Sequence, residues 1–311
     1  MLRYILKRIL IGVLVLWLIA TLTFFLARAM PGGPFTREKA LPEAILKNLN
    51  ARYHLDDPLL KQYVDYIKNI ARGDFGPSFR YPTQTVNDLI ARGFPVSATI
   101  GALALTLALL VGIPAGIISA LRQNQWQDGF WLFTTTVLIS VPNFIIATLL
   151  MYVFAYKLRW FPPALWGTAK QAVLPTIALA GYPLAFVTKL MRSSALEVMG
   201  QDYIRTCKAK GMPRYILLYR HMLKNAILPV LTILGPTTAS ILMGGLVIEK
   251  IFAIPGLGQH LINGIFNRDY TVIMGLTVFY AFLLITATLL VDISYCLIDP
   301  RISLAGGTKD E

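Results

Sequence analysis

The stretch Ile9-Leu10-Ile11-Gly12-Val13-Leu14-Val15-Leu16-Trp17-Leu18-Ile19-Ala20-Thr21-Leu22-Thr23-Phe24-Phe25-Leu26-Ala27 carries no charge and no proline. A helix needs about 20 mostly apolar residues to cross a bilayer, and this run supplies them. Arg3, Lys7 and Arg8 precede it, and Arg28 with Pro31-Gly32-Gly33-Pro34 follows. A secretory leader also begins with basic residues. Its apolar segment is shorter, however, and leads into a small-x-small cleavage site, which is missing after Ala27. The run is therefore read as a retained first spanning helix.

Five more apolar runs follow, at about 97–121, 130–156, 172–191, 227–249 and 273–298. In lipid the backbone must satisfy its own hydrogen bonds, so these are expected to be helices. Composition agrees: 56% of the residues are hydrophobic and 14% charged, against about 25% charged in soluble domains. The mean hydropathy is +0.60. The expected fold class is all-α integral membrane, with six transmembrane helices.

The net charge of +13 is distributed by loop. The basic residues are not interleaved with stacking aromatics on a polar face, which argues against a nucleic-acid partner. Instead, Arg3, Lys7 and Arg8 assign the N-terminus to the cytoplasm. Six crossings then place Arg122, the loop 192–226 and the C-terminal tail on the same side. That loop carries Arg205, Lys208, Lys210, Arg214, Arg220 and Lys224 against Glu197 and Asp202. Lys157, Arg159 and Lys170 dissent on the outer side, but the opposite topology would put the most basic loop outside. The expected organisation is an N-terminal helix (1–29), an extracytoplasmic insertion (30–96) and a transmembrane core (97–298) containing the loop 192–226. A cytoplasmic tail (299–311) completes it. In the insertion, Pro42 to Arg52 and Pro58 to Ala71 read as helices.

The chain lacks the signatures of an enzyme. It has no phosphate-cradling G-x-x-x-x-G-K-[ST] loop, no H-E-x-x-H zinc helix and no G-x-S-x-G elbow. His54, His221 and His260 are scattered, and Cys207 and Cys296 have no Cys/His cluster around them, so neither a metal site nor a disulfide framework is expected. Ion-coupled transporters place ionisable groups deep in the membrane. Here Arg28, Lys189, Glu249 and Asp292 lie near span ends, where charges snorkel or cap helix packing. If the chain moves a solute, the energy enters from a partner.

One loop is built for such a partner. In Asp202-Tyr203-Ile204-Arg205-Thr206-Cys207-Lys208-Ala209-Lys210-Gly211-Met212-Pro213, Asp202 can cap a short helix and Gly211 can end it left-handed. Pro213 suits the first turn of a second, basic helix reaching Asn225. By spacing alone, a force-bearing helix and an amphipathic segment resting on anionic headgroups remain equally open.

The residues from Tyr203 to Gly211, with His221 and Asn225-Ala226-Ile227-Leu228-Pro229, resemble the cytoplasmic signature of ABC importer permeases. The likeness is to the dipeptide/oligopeptide branch, most of all its B-type subunits. That branch carries Arg-Thr-Ala where this chain has Arg205-Thr206-Cys207, so Cys207 departs by one small residue. The likeness runs through nearly the whole chain. It includes Met30-Pro31-Gly32-Gly33-Pro34, Gly73-Asp74-Phe75-Gly76-Pro77-Ser78-Phe79 and Ile248-Glu249-Lys250-Ile251-Phe252. Pro255-Gly256-Leu257-Gly258, Asn267-Arg268-Asp269-Tyr270 and Ile298-Asp299-Pro300-Arg301 extend it further.

The resemblance implies a type I ABC importer permease fold and uptake of oligopeptides by alternating access. It implies a second homologous permease, two ATPase subunits and an extracytoplasmic peptide-binding protein. ATP and Mg are expected on those ATPase subunits, with no cofactor and no catalytic residue in this chain. It implies a multi-pass cell-membrane protein with both termini cytoplasmic. It also implies that Tyr203, Ile204, Arg205, Thr206, Cys207, Lys208, Ala209, Lys210 and Gly211 form the helix that docks on an ATPase subunit.

Asn267, Arg268, Asp269 and Tyr270 are expected at an outer gate or a binding-protein contact; a turn with a local Arg268–Asp269 pair is the plainer alternative. Asn143, Thr237 and Ser240 are polar residues within spans, expected to line the path or to bond between helices. Gly112-Ile113-Pro114-Ala115-Gly116 has the spacing for close helix packing. The competing functional classes are a stand-alone channel or secondary transporter, and a membrane scaffold.

Overall fold

The computed structural model describes residues 2–30, 47–48, 50–51, 53, 55–81 and 83–298. Outside them lie the Pro31–Pro34 motif, most of the Pro42 to Arg52 stretch, His54 and the tail from Asp299. Among the described residues the structure is helical, and the one extended pairing is an isolated bridge between Pro77 and Thr85.

The first helix, α1 (Leu2–Ala29), is exposed along most of its length and packs one side on the last helix. Helix α2 (Leu59–Ala71) lies in the insertion. The longest helix, α3 (Val86–Leu121), starts eleven residues before the apolar run at 97 because of a capping box. The Thr85 hydroxyl accepts from Asp88 N–H at 3.1 Å, and the Asp88 carboxylate accepts from Thr85 N–H at 2.9 Å. Both orphan donors of the first turn are satisfied, so the helix continues outward past the membrane run.

The expected span 130–156 is divided. Helix α4 (Trp126–Ser140) and helix α5 (Asn143–Leu150), which continues as a π-helix to Lys157, meet at 106°. Val141 is extended (φ −91°, ψ 121°) because it precedes Pro142, and Pro142 has no N–H to continue the ladder. The bend falls at the Pro142-Asn143 step. Helix α6 (Ala169–Gly200) carries the fourth apolar run well beyond residue 191.

The short helix α7 (Asp202–Ala209) follows. A helical run of α8 (Arg214–Ile216), a π-turn (Leu217–Leu223) and α9 (Lys224–Ala226) comes next. The run 227–249 forms α10 (Leu228–Thr232) and α11 (Leu234–Ile251), with Ile233 between them. Helix α12 (Leu257–Asn267) is short and amphipathic, and α13 (Tyr270–Ile298) closes the chain. Among the described residues four helices, α1, α3, α6 and α13, are each long and apolar enough to cross a membrane; the bent α4–α5 pair, counted as one span, raises the number to five, against the six expected from sequence.

The most extensive helix pairing is α3 on α6. Gly112 and Gly116 make it possible. A Cβ on Gly116 would stand 2.7 Å from Met191 Cβ and from the Thr188 carbonyl, and one on Gly112 would stand 3.1 Å from the Leu184 carbonyl. Ala104, Ala108 and Ala115 of α3, with Ala178, Ala185 and Ala195 of α6, are fully buried along the seam. Small residues allow the two backbones to approach, and dispersion then replaces the hydrophobic drive that lipid cannot supply.

Candidate functional site

The loops gather at two opposite ends of the helices. One end brings together the turns 73–85, 158–168 and 252–270. The other holds the α3–α4 turn and α7 to α9.

At the second end, α7 stands clear of the bundle. Ile204 alone of its residues is fully buried; Tyr203, Arg205, Thr206, Lys208, Ala209 and Lys210 are exposed, and Cys207 is half-buried and free. Asn225 Nδ2 donates to the Tyr203 hydroxyl at 2.8 Å, tying α7 to α9. The helix starts at Gln201, which is extended and occupies the cap, so Asp202 is not the cap expected from sequence. It sits in the first turn, where its negative charge complements the positive end of the helix dipole. Its exposed carboxylate lies 3.6 Å from Arg205, an ion pair of small energetic weight.

The other end of α7 is closed as expected. Gly211 has φ +71°. Its N–H donates to the Lys208 carbonyl at 3.0 Å, and Met212 N–H donates to the Cys207 carbonyl at 3.2 Å. These two bonds form a Schellman motif, which requires a left-handed residue at the glycine position. Pro213 occupies the cap of α8 and does not enter its first turn. Behind α7 lies a cavity lined by Met199, Ile204, Met212, Leu217 and Met222.

At the same end of the helices is an ion pair that the sequence did not reveal. Asp128, in the first turn of α4, is 2% exposed. Arg192 of α6 donates to both of its oxygens, Nε at 2.7 Å and Nη2 at 2.8 Å. Ser119 Oγ at the end of α3 donates at 2.5 Å, and Asn124 N–H in the α3–α4 turn at 2.9 Å. One carboxylate thus joins α3, α4 and α6 about three turns before α7 begins. A bidentate pair with its remaining lone pairs filled can hold elements in register despite the desolvation penalty. Asn124 turns left-handed at φ +63°, a region Asn enters readily, and so presents its N–H to the carboxylate.

At the opposite end, Glu249 neither snorkels nor faces solvent; it is 2% exposed. Oε1 accepts from Ser97 Oγ at 2.7 Å, and Oε2 accepts from Gly258 N–H at 2.7 Å. Ser97 Oγ in turn accepts from Leu257 N–H at 2.9 Å. The carboxylate therefore sits at the N-terminus of α12, where free N–H groups and the dipole favour an anion. Gly256 is required by proximity: a Cβ there would stand 2.6 Å from Ser97 Oγ.

The Asn267–Tyr270 segment turns sharply. Arg268 is left-handed at φ +55°. Asp269 is buried and is not held by a local pair with Arg268. Its Oδ2 accepts from Ser78 Oγ at 2.5 Å and Arg80 N–H at 3.1 Å; its Oδ1 accepts from Phe79 N–H at 3.1 Å and from Val272 N–H at 3.3 Å. It therefore caps α13 and fastens the insertion to it. Tyr270 is buried too, leaving Arg268 exposed and Asn267 half-buried. Asn267 lines a cavity with Arg80, Gln84, Asn263 and His260. Burial pushes the His260 pKa below its ordinary value.

Asn143 opens α5 and Thr237 lies in the first turn of α11; both are half-buried, and these two helices pack on each other. Ser240 lies one turn farther along α11, and its side chain is outside the described residues. Among the described residues, no group of three or more His, Cys, Asp or Glu is placed to hold a metal ion.

Comparison with known proteins gives concordant results. Residues 112–304 match the family described as binding-protein-dependent transport system inner membrane component. Residues 1–101 match the N-terminal family of the same systems. The chain is 50% identical over 304 residues to the dipeptide transport system permease protein DppB of Bacillus subtilis, covering 98% of this chain and 99% of that protein. It is 45% identical over 305 residues to the oligopeptide transport system permease protein OppB of Salmonella typhimurium, covering 97% and 99%. Among solved structures, the MetNI methionine ABC transporter in an inward-facing conformation matches with a TM-score of 0.57. That match covers 68% of this chain and 96% of the other at 16% identity, a likeness of fold.

Proposed function

The chain belongs to the binding-protein-dependent transport system inner membrane component family, and from that premise we propose that it is the permease subunit of an ATP-binding-cassette importer for peptides. The observation that carries the reading is identity of 45–50% over almost the full length with permeases of dipeptide and oligopeptide transport systems. The importer contains a second permease, two ATPase subunits that hold ATP and Mg, and an extracytoplasmic binding protein that delivers the peptide.

In this reading α7 is the docking rod. Tyr203 to Gly211 meet a groove on an ATPase subunit, with Arg205, Lys208 and Lys210 facing its acidic groups. Ile204 and the Gly211 turn fix the rod to the bundle, and the Asp128–Arg192 pair passes its displacement to α3 and α4. The six crossings are α1, α3, the bent α4–α5 pair, α6, α10–α11 and α13, with both termini in the cytoplasm. The basic content of 192–226 supports that orientation. At the outer end, Asn267 and Arg268 meet the binding protein, while Asp269 and Tyr270 hold them in place from within. Asn143, Thr237 and Ser240 line the path between them.

The test is purification through a C-terminal tag from native membranes, followed by reconstitution into vesicles. Recovery of a second permease, ATPase subunits and a binding protein, with peptide uptake that requires ATP, is the expected result. Recovery of this chain alone, transporting without ATP, would sink the reading in favour of a channel or secondary transporter. For the outer end, Arg268→Ala should abolish stimulation by the binding protein in an assembled complex; intact stimulation would remove that contact.

A further inference from the structure

Helix α6 is the hub of the molecule. It packs on α3, α4, α5, α9, α10 and α11. Of its apolar stretch 61% is buried, against 11%, 33% and 39% in the other three long helices. One narrow face nevertheless stays open. Tyr182 and Phe186 are 44% and 40% exposed, with their rings stacked at 6.2 Å. Lys189 is half-buried and Ser193 is exposed. At 3.6 residues per turn these four side chains fall within about 60° of the helix circumference. Opposite them Val187, Met191 and Ala195 are fully buried. Farther from α7 the same face closes, since Pro175, Ala178 and Leu179 are buried. The open stripe therefore starts at Tyr182 and runs about 16 Å toward the α7 end.

The composition of the stripe separates it from a lipid-facing surface. Helix α1 exposes Leu10, Val13, Leu14 and Leu22, which suit hydrocarbon. The stripe of α6 instead presents a phenol, a phenyl ring, an ammonium and a hydroxyl. The sequence places Lys189 near the end of an apolar run, yet α6 continues for eleven residues beyond it, to Gly200. An ionisable residue within an apolar helix almost always faces a bundle interior or a water-filled cavity.

The charge on this face is uncompensated. Among the described residues Lys189 makes no ion pair, whereas its neighbour Arg192 is spent on Asp128. The next acid along the face, Glu197, lies about 12 Å farther along the helix, beyond the screening length of about 8 Å at physiological salt. A stacked aromatic pair beside one free cation fits an anion with an apolar body, because the rings contribute contact area and the ammonium fixes orientation. A peptide of any sequence has one such anion, its terminal carboxylate.

We propose, resting on the importer reading above, that the open stripe of α6 binds the peptide in transit. Lys189 receives the terminal carboxylate, and the Tyr182–Phe186 pair receives an apolar side chain next to it. The contact to the carboxylate is independent of peptide sequence, and the contact to the rings favours peptides with an apolar residue near the C-terminus. Lys189 is thus a substrate-binding residue and not a charge reaching for the headgroups.

The test uses the assembled complex in vesicles, with its binding protein and ATP, and takes trialanine and its C-terminal amide as probes. Lys189→Met should lower uptake of trialanine about tenfold, the effect of one hydrogen bond to a charged group, and should leave uptake of the amide nearly unchanged. Wild type and variant meet the same binding protein, so its own preference between acid and amide cancels when their ratios are compared. Lys189→Arg should restore uptake of the acid. Equal losses for acid and amide, or no loss, would overturn the carboxylate contact. Separately, Phe186→Cys is treated during turnover with a membrane-impermeant methanethiosulfonate, and the label at 186 is distinguished from Cys207 and Cys296 by peptide mapping. Labelling that trialanine slows is the expected result. A thiol that does not react would show that the stripe faces lipid or the second permease, and labelling that trialanine leaves unchanged would remove the peptide from it. A wild-type complex that takes up no trialanine with ATP would fail the importer reading itself, whereas normal wild-type uptake with an unaltered acid-to-amide ratio in Lys189→Met fails this contact alone.

Discussion

Substituting Gly211 separates a backbone requirement from a contact. The residue holds φ +71°, and a Cβ built there meets no atom within 4 Å. The chain itself has room for a side chain, so the cost of adding one is conformational. For an ordinary L-residue the left-handed region costs about 1–2 kcal/mol. That cost is large beside what holds α7. An eight-residue helix is marginal by itself. Burial of Ile204 contributes about 1.5–3 kcal/mol, and the Asn225–Tyr203 hydrogen bond about 0.5–1.5 kcal/mol. Losing about 1–2 kcal/mol from this anchorage shifts the population of seated α7 by a factor of roughly 5–30. Gly211→Ala should therefore lower ATP-dependent peptide uptake in reconstituted vesicles several-fold, and Gly211→Val further. Gly211→Asn should retain most activity, because Asn tolerates the left-handed region. Complex assembly and the Tm of the membrane core should remain near wild type. Asn as damaging as Val would refute the argument, showing that a partner surface excludes any side chain there.

Asp128→Asn removes the carboxylate that faces Arg192 and leaves that partly buried cation without a counter-charge, so the Tm of the purified complex should fall, by a loss of up to about 3 kcal/mol. Adding Arg192→Gln should restore part of it; no coupling in the double-mutant cycle would show that the pair is not linked as drawn. Gly256→Ala drives a methyl into Glu249 and Ser97 and should displace the start of α12, with uptake and Tm both reduced, whereas Gly73→Ala adds a methyl in open space and acts only through its φ of +78°. His260 gives a pH signature. Burial lowers its pKa in the folded protein below the ordinary 6.5. Its stability contribution is therefore complete above about pH 6.5 and is lost as the pH falls through the lower folded value. Tm should drop between neutral and mildly acidic pH, and His260→Gln should flatten that segment of the profile.

The fold class and the helix–glycine–helix geometry of the loop were legible in the sequence because both depend on short-range regularities. Apolar runs such as 9–27 must be helical in lipid, whatever surrounds them. A helix that stops at Gly211 is written in adjacent residues, since the left-handed cap is a local geometry. Gly112 and Gly116 likewise announced a close seam through their spacing alone.

The charged residues were a different matter. Glu249 read as a span-end charge, yet it is buried against Ser97, 152 residues away. Asp269 read as an outer-gate or binding-protein contact, or as one half of a local pair with Arg268, yet it is buried and fastens the turn around Ser78, 191 residues away. Asp128 gave no sign of Arg192, since the two meet only when α3, α4 and α6 are packed. By itself the sequence determined the apolar helices, the glycine cap at Gly211 and the basic composition of the loop 192–226, all through spacing and composition. The tertiary structure decided where each buried charge finds its partner and where α4 and α5 part, because desolvation forbids an isolated charge and only the packed chain brings distant donors within reach.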